Sequence, residues 1–248
     1  MQEKNIIFYF TGTNNSLMAA KRIGEELGEY ELIALSKFNT REKIEADRVG
    51  IVCPVYFWGI PNVVRTFLSK VKIKTGTYVF AVVTMGSSSG NALPEISQLL
   101  QASGNELSYG TAIQFPDNYS TILGAQKEEK HKNILEGAKE ELIRTGEVIQ
   151  KKRKGNIPKY KALTNLLFSS YRKSLSKQDK KFQVEDSCNH CGQCVKICPV
   201  QNIRMEGGIP VWEHHCEFCL ACLANCPGKA IQIGKKTKGK PKYLCPEQ

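Results

Sequence analysis

The sequence predicts an α/β protein: a doubly wound, five-stranded parallel sheet, then a basic helical connector and a small cysteine-rich α+β domain. Three observations predict this class. Apolar runs alternate with amphipathic segments over residues 1–150, and positive charge is concentrated in residues 151–183. Eight of the ten cysteines fall within residues 188–226.

Five continuous apolar runs are the candidate strands. A strand that is apolar throughout is buried on both faces, as in a parallel sheet covered by helices. The runs are Asn5–Phe10, Leu32–Leu35, Val49–Val55, Tyr78–Thr84 and Thr111–Phe115.

Four amphipathic segments separate or follow these strands. In the first, Leu17–Leu27, the apolar residues recur at helical spacing, and Asn15 or Ser16 is placed to cap it. The others begin at Pro61, cover Ala92–Leu100 and run from about Gln126 to Lys154. The alternation predicts helices on both faces of the sheet.

Charge divides the chain into three parts. Residues 1–150 carry 16 basic and 17 acidic side chains, and residues 151–248 carry 19 and 7. We therefore expect a first domain at 1–154, a connector at 155–183 and a second domain at 184–248. The lysine-rich tail Lys235–Lys242 is expected to be solvated and mobile.

Nothing in the sequence predicts export or a membrane span. The apolar stretch Ile6–Phe10 is shorter than the h-region of a signal peptide, and no later stretch approaches the length of a transmembrane helix. We therefore expect a cytoplasmic location.

The connector has the pattern of a basic amphipathic helix. Its apolar residues recur every three or four positions among lysines and arginines. Such a helix can dock on one of the two domains, or contact an anionic membrane surface or an acidic protein. Nucleic acid is not expected, because aromatic and basic residues do not interleave. The apolar face comprises Tyr160, Leu163, Leu166, Leu167, Phe168, Tyr171 and Leu175.

The cysteines form two identical runs with the spacing C-x2-C-x2-C-x3-C-P. The second run repeats the first after 28 residues. The chain has no secretory signal that would favour disulfides, and zinc usually takes pairs of cysteines separated by a longer gap. Three thiolates at this spacing can surround one face of an iron–sulfur cube, while the fourth points to another cube. The runs therefore predict two [4Fe–4S] clusters on Cys188, Cys191, Cys194, Cys198, Cys216, Cys219, Cys222 and Cys226.

Residues 184 to 234 resemble a bacterial-type two-cluster ferredoxin. The resemblance implies crossed ligation, in which Cys226 completes the cluster of the first run and Cys198 that of the second. His190, His214 and His215 lie beside the ligands in sequence and are expected near the clusters or on the surface. Of the two remaining cysteines, Cys53 is expected in the core and Cys245 to be spare.

Three loops of unusual composition follow predicted strands, at the edge where doubly wound sheets bind ligands. The first, Thr11–Ser16, leads into a helix and offers backbone N–H groups and hydroxyls to an anion. It lacks the lysine of a P-loop and the glycines of a dinucleotide fingerprint. These features favour a phosphate monoester.

The second loop contains Tyr56, Phe57, Trp58 and Gly59, which can stack on a flat ring or simply plug the end of the sheet. The third, Thr84–Asn91, is rich in serine and glycine, so its backbone can approach a ligand closely. Pro116–Tyr119, after the last strand, can reach the same ligand or form a plain turn.

These three loops resemble those of flavodoxin, over residues 4 to 152. The resemblance implies FMN, with its phosphate on the first loop and its ring between the other two. Asn14 stands where the family usually has glycine, so weaker FMN binding is expected. The residues implied are Thr11, Gly12, Thr13, Asn14, Asn15, Ser16, Tyr56, Phe57, Trp58, Gly59, Thr84, Met85, Gly86, Ser87, Gly90 and Asn91.

Together the two halves resemble the flavodoxin–ferredoxin fusion proteins of anaerobic bacteria. We expect an electron-transfer protein that carries electrons between FMN, two [4Fe–4S] clusters and external redox-partner proteins. No residue is assigned as a catalytic acid, base or nucleophile, and the choice between electron carrier and oxidoreductase stays open. The alternatives are an FMN-dependent reductase of a small quinone-type substrate, and a binding or sensor protein whose clusters are structural.

Overall fold

The computed structural model describes residues 3–38, 43–119, 128–163 and 174–246, together with Ile122 and Leu166. Its main feature is a five-stranded sheet made of β1 (Asn5–Tyr9), β2 (Tyr30–Ala34), β4 (Arg48–Pro54), β6 (Tyr78–Met85) and β7 (Leu107–Gln114). Every neighbouring pair is parallel, and the order is β2-β1-β4-β6-β7. Renumbered within the sheet, this is the 2-1-3-4-5 order of the flavodoxin-like fold, which confirms the predicted class. A separate short parallel pair joins β3 (Lys43–Ile44) to β5 (Lys72–Ile73).

Helices cover both faces of the sheet. α1 (Asn15–Leu27) and α4 (Glu128–Gln150) bury Ile23 and Leu142 in one core cluster. On the other face, α2 (Asn62–Leu68) and α3 (Ala92–Ala102) contribute to a second cluster. The strand residues between these layers are almost fully buried, as the continuous apolar runs predict.

The start of α1 differs from the prediction. Asn14, rather than Asn15 or Ser16, is the N-cap residue, and its side chain makes no capping hydrogen bond. Asn15 and Ser16 belong to the helix and point their polar atoms at neighbouring loops. The prediction failed because a residue type common at caps can also serve a tertiary contact.

The C-terminal part is a small α+β unit. β8 (Phe182–Val184) pairs with β11 (Ile231–Ile233), and β9 (Ile203–Glu206) pairs with β10 (Ile209–Trp212), both antiparallel. Two short helices, α5 (Gln193–Ile197) and α6 (Ala221–Ala224), complete it. Its core includes Ile203 and Ile231, which occupy equivalent positions in the two halves of the internal repeat.

The connector is only partly as predicted. Residues 155–161 form no regular helix and Tyr160 is half-buried, whereas Leu163 and Leu166 are helical and 68% and 73% exposed. Leu175 is buried in the C-terminal core, at the start of a 3-10 helix, Leu175–Lys181. The remaining residues of the predicted apolar face, Leu167, Phe168 and Tyr171, lie outside the described residues.

The C-terminal tail is not the mobile end that its lysines predict. Thr237 is fully buried, and the Lys242 ammonium donates to the Gln232 side chain at 3.0 Å. Tyr243 and Cys245 are also buried. A run of lysines usually marks a solvated segment, but here their side chains extend from a backbone that packs on the domain. Cys245, predicted to be spare, is part of this packing.

Within the described ranges, no helix is both long and apolar enough to cross a membrane.

Candidate functional site

The predicted phosphate loop lies at the carboxyl edge of the sheet, between β1 and α1, and lines a cavity of about 40 Å³. Thr13 and Ser16 are buried, and Ser16 Oγ lies 2.8 Å from Thr84 Oγ1. Asn14 has φ 68°, a left-handed conformation that asparagine tolerates better than most residues. The absence of glycine at this position therefore does not prevent the loop from adopting the left-handed turn.

The aromatic loop is a tight turn closed by two hydrogen bonds, from Tyr56 N to Gly59 O at 2.9 Å and from Gly59 N to Tyr56 O at 3.1 Å. Its central residues, Phe57 and Trp58, have φ values of 49° and 60°. Turns of this type favour asparagine and glycine, so two bulky residues here store backbone strain. Such strain is typical of ligand-binding loops.

The glycine-rich loop is fastened to the aromatic loop. Asn91 N donates to Trp58 O at 2.8 Å, and a Cβ on Gly90 would lie 2.5 Å from that same carbonyl oxygen. The Asn91 side chain is fully buried and exchanges two hydrogen bonds with the Lys161 backbone, both 2.8 Å long. Its amide is thus used to hold the connector rather than offered to a ligand.

A second cavity, of about 230 Å³, lies between the aromatic loop, the glycine-rich loop and Asp117–Tyr119. It shares part of its wall, including Tyr56 and Gly86, with the cavity at the phosphate loop. The Tyr56 hydroxyl is buried, and no described residue hydrogen-bonds to it. Burial, followed by the neighbouring Cys219 and Glu217, raises the pKa of Tyr56 well above its usual value, so the hydroxyl stays protonated. The paired cavities fit a flat-ring ligand that bears a phosphate.

The eight repeat cysteines form two groups. The inner thiol group consists of Cys198, Cys216, Cys219 and Cys222. Burial raises the pKa of the Cys219 thiol to about 12, and the adjacent Cys198 adds to the effect. Cys222 is likewise raised by burial and then by Cys219, Cys216 and Cys198. One cysteine of the first run therefore lies among three of the second, as crossed ligation requires.

The outer thiol group consists of Cys188, Cys191, Cys194 and Cys226. Burial raises the pKa of Cys194, and the charges of Cys226 and Cys188 add to it. Cys191 is exposed, whereas Cys219 and Cys222 of the inner thiol group are buried. The two groups thus have the same composition and very different access to solvent.

Backbone N–H groups point at several of these sulfurs. Asn202 N donates to Cys198 Sγ at 3.2 Å, and Ala230 N donates to Cys226 Sγ at 3.3 Å. The two bonds are related by the 28-residue repeat. Each thiol group therefore contains four thiols, at least one of which accepts a backbone N–H hydrogen bond. This arrangement fits a [4Fe–4S] cluster, whose reduction potential such bonds tune. No three Cys, His, Asp or Glu side chains among the described residues come close enough to hold a single metal ion.

The three histidines lie outside both thiol groups and are exposed. His190 Nδ1 lies 2.7 Å from Gly208 O, and His215 Nε2 lies 3.1 Å from Val200 O. His214 Nδ1 lies 2.8 Å from the buried Asp179 carboxylate. Cys53 is fully buried in the sheet core, as predicted, and burial raises its pKa to about 12.

The inner thiol group packs directly on the phosphate loop. A Cβ on Gly12 would lie 2.3 Å from the Cys219 carbonyl oxygen, so only glycine fits there. Asn118 Nδ2 donates to the same oxygen at 3.4 Å. The phosphate loop and the inner thiol group are therefore parts of one continuous site.

Glu217, between two cysteines of the inner thiol group, also reaches across to the sheet domain. Its carboxylate accepts from Asn62 N at 3.0 Å and from Val63 N at 2.7 Å, at the start of α2. The side chain is 5% exposed. Burial raises the pKa of Glu217, while the two N–H groups act in the opposite direction.

Aromatic rings connect the ligand cavity to the cysteine-rich core. The ring centroids of Phe57 and Tyr119 are 5.4 Å apart, and those of Tyr119 and Phe218 are 5.9 Å apart. Phe218 immediately precedes Cys219. The rings therefore exclude water between the cavity and the inner thiol group.

The C-terminal tail closes the opposite end of the phosphate loop. Cys245 N donates to Thr13 O at 2.9 Å, and the Tyr243 hydroxyl lies 2.7 Å from Asn15 Oδ1. Asn15 Nδ2 in turn donates to Pro116 O at 2.9 Å. Each of these partners is remote in sequence from the loop.

Sequence analysis missed three residues of this site: Glu217, Phe218 and Tyr243. The two residues between Cys216 and Cys219 are acidic and aromatic, whereas the equivalent pair in the first run is Asn189 and His190. This difference between two runs of identical cysteine spacing is a signal that could have marked the second run as the one facing the sheet. No pattern around Tyr243 predicts its contact.

Known proteins are similar to the two parts separately. A family model described as "4Fe-4S dicluster domain" matches residues 180–227. A ferredoxin of Methanothermococcus thermolithotrophicus is 33% identical over 52 residues, which cover 19% of this chain and 87% of that protein. A ferredoxin of Pyrobaculum islandicum is 38% identical over 60 residues, covering 23% of this chain and 55% of that protein.

Among solved structures, the two-electron reduced flavodoxin of Megasphaera elsdenii superposes with a TM-score of 0.39 and 21% identity, covering 54% of this chain and 98% of that one. The assignment of the sheet to the flavodoxin-like class rests on its own strand order rather than on this superposition.

Proposed function

The chain belongs, through residues 180–227, to the ferredoxin family with a 4Fe-4S dicluster domain, and on that premise we propose that it transfers electrons between FMN, two [4Fe–4S] clusters and external redox partners. The 4Fe-4S ferredoxin part and the flavodoxin-like sheet support electron transfer in general. FMN, the number of clusters and their individual ligands are the specific content of the proposal.

One observation carries the proposal: the loop of the inner thiol group packs on the phosphate loop through Cys219 and Gly12. Two cofactors held by these loops would be neighbours within one chain. If the two halves were independent modules, their binding loops would have no reason to share a contact too close for a Cβ.

The residues divide between three binding tasks. Thr11, Thr13 and Ser16, with the backbone at the start of α1, would hold the phosphate of FMN. The cavity between the aromatic and glycine-rich loops would hold the ring. The inner and outer thiol groups would each hold one cluster. When bound, FMN supplies two-electron chemistry and each cluster one-electron chemistry.

The difference in burial between the two thiol groups suggests an order of electron transfer. The inner thiol group is buried beside the ligand cavity, and Cys191 of the outer thiol group is exposed. We therefore assign the outer group to exchange with external redox proteins and the inner group to exchange with the flavin.

Two alternatives use the same site. A reductase of a small quinone-type substrate needs open space over the ring, and Trp58, 38% exposed, marks the side where such space exists. A sensor with structural clusters needs no electron exchange between the two sites. A membrane surface or an acidic protein is the proposed partner of the exposed Leu163 and Leu166, which lie near Lys159 and Lys161.

The test is anaerobic purification with quantification of iron, sulfide and flavin, followed by a redox titration. We expect about eight iron atoms and about eight sulfides per chain, from two [4Fe–4S] clusters, together with FMN. We also expect flavin and clusters to equilibrate after reduction of either. Iron without flavin would overturn the flavin assignment, and turnover of a quinone without any protein partner would favour the reductase.

A further inference from the structure

We propose that Glu217 is a positioning residue that fixes the inner cluster site against the flavin site. The proposal rests on the proposed function and adds to it a specific device for electron exchange within the chain.

The position of Glu217 in sequence is the first step. It lies between Cys216 and Cys219, so any restraint on its carboxylate also restrains the loop that carries two thiols of the inner group. The carboxylate makes no ion pair within that loop; it instead accepts hydrogen bonds from Asn62 N and Val63 N, more than 150 residues away in sequence.

The second step is the cost of this arrangement. A carboxylate that is 5% exposed loses most of its hydration, which is unfavourable unless hydrogen bonds replace it. Two backbone N–H groups at the start of a helix provide such bonds with fixed geometry. Because both N–H groups belong to the backbone of α2, the restraint is stiffer than a contact between two flexible side chains.

The third step concerns what is being positioned. Gly12 and Asn118 both contact the Cys219 carbonyl, two residues beyond Glu217. α2 begins just after the aromatic loop that lines the ligand cavity. Glu217 therefore ties the inner thiol group to the same segment that forms the wall of the flavin cavity. Electron exchange slows steeply with distance, so loosening this tie lowers the rate without removing either cofactor.

The experiment compares Glu217→Ala with the control Glu213→Ala. Glu213 is also acidic and close in sequence to Cys216, but it is exposed and pairs with Arg204. Flavin–cluster exchange is followed by stopped-flow absorbance in the complete holoprotein after rapid reduction. Loss of a buried carboxylate beside the inner thiol group is expected to raise the midpoint potential of that cluster, so exchange rates are compared at equal driving force. We expect Glu217→Ala to slow exchange about tenfold or more, with iron and flavin contents unchanged. We expect Glu213→Ala to match the wild type.

A second variant removes the same interaction from the other side. Asn62→Pro deletes an N–H donor at the first position of α2, where proline is favoured, and the preceding residue has ψ 150°, which proline accepts. Asn62 is exposed, so its side chain contributes little packing. We expect slower exchange, and a combined effect with Glu217→Ala smaller than the product of the two.

Exchange at the wild-type rate in cofactor-replete Glu217→Ala overturns the positioning role. If that variant loses its cluster, Asn62→Pro decides: slow exchange supports the role and unchanged exchange overturns it. Absence of flavin–cluster exchange in the wild type would instead contradict the proposed function itself.

Discussion

The two cysteine runs have the same spacing and very different surroundings. Between the first two cysteines of the first run lie the polar residues Asn189 and His190, and both are exposed. Between the first two cysteines of the second run lie Glu217 and Phe218, and both are buried. The backbone is nevertheless alike, since His190 and Phe218 have φ values of 58° and 53°. The duplication thus preserved the cysteine spacing and the backbone conformation, while the side chains between the cysteines came to differ between the copy that faces the sheet and the copy that does not.

The comparison extends to the residue after the second cysteine of each run. Gly192 and Leu220 have φ values of 68° and 62°. Glycine adopts this conformation without strain, whereas leucine does so at a cost of about 1–2 kcal/mol. Leu220 is 2% exposed, so its burial offsets the strain. In the second run, the burial of an apolar side chain thus offsets an unfavourable backbone conformation.

The largest effect on stability is expected from truncating Phe218, the aromatic residue of the second run. Phe218 is 6% exposed and its ring contacts those of Tyr119 and Phe182. Phe218→Ala should lower the free energy of unfolding by about 3 kcal/mol, measured by anaerobic denaturant titration. The matched change His190→Ala removes an exposed side chain and should cost about 1 kcal/mol or less. Equal costs would show that the two runs are not differently packed.

An intermediate effect is expected at the two left-handed positions. Leu220→Gly relieves strain but removes a buried side chain, and we expect a net loss of about 2 kcal/mol in unfolding free energy. Gly192→Ala introduces strain into open space, because a Cβ there meets no atom within 4 Å. It should cost about 1 kcal/mol. If Leu220→Gly instead raised the free energy of unfolding, the view that burial outweighs strain in the second run would be contradicted.

The smallest effect on stability is expected from removing an ion pair near the first run. Lys238 Nζ lies 2.8 Å from Glu185 Oε1, and both groups are open to solvent. This hydrogen bond lowers the pKa of Glu185. A lowered pKa stabilises the fold above the pKa of the unfolded state, and the contribution disappears as pH falls through the folded value.

Since solvent and salt screen exposed pairs, Lys238→Gln should leave the thermal midpoint at neutral pH unchanged within error. The same measurement repeated at increasing ionic strength is the control, and wild type and variant should respond alike. A clear drop in the thermal midpoint would mean that the first run depends on the tail more strongly than the exposure of this ion pair indicates.

The sequence predicted the parts of the molecule that depend on local patterns. Apolar runs specify strands because burial on both faces demands it, and the spacing of the cysteine runs predicts a dicluster domain, which the family match to residues 180–227 supports. Asn14 stands at the position where glycine was expected, and its φ of 68° is the left-handed conformation that glycine usually supplies. These features require no knowledge of how distant segments meet.

The contacts between the two halves were not predictable in the same way. The bonds from Asn62 and Val63 to Glu217 join segments whose meeting depends on the complementarity of two folded surfaces. The start of the connector was unpredictable for a related reason. Asn91 holds the backbone of Lys161 in a non-helical conformation, and helical residues follow only from Ala162. Tertiary hydrogen bonds here override local propensity.

The contact of the C-terminal tail with the phosphate loop has a consequence for how the protein is made. Cys245 N bonds to Thr13 O, so the surroundings of the phosphate loop are completed by residues that follow both cysteine runs in the chain. The sheet domain can fold first, as N-terminal domains generally do. Its phosphate loop, however, gains its contacts with Tyr243 and Cys245 only after both cysteine runs have been synthesised.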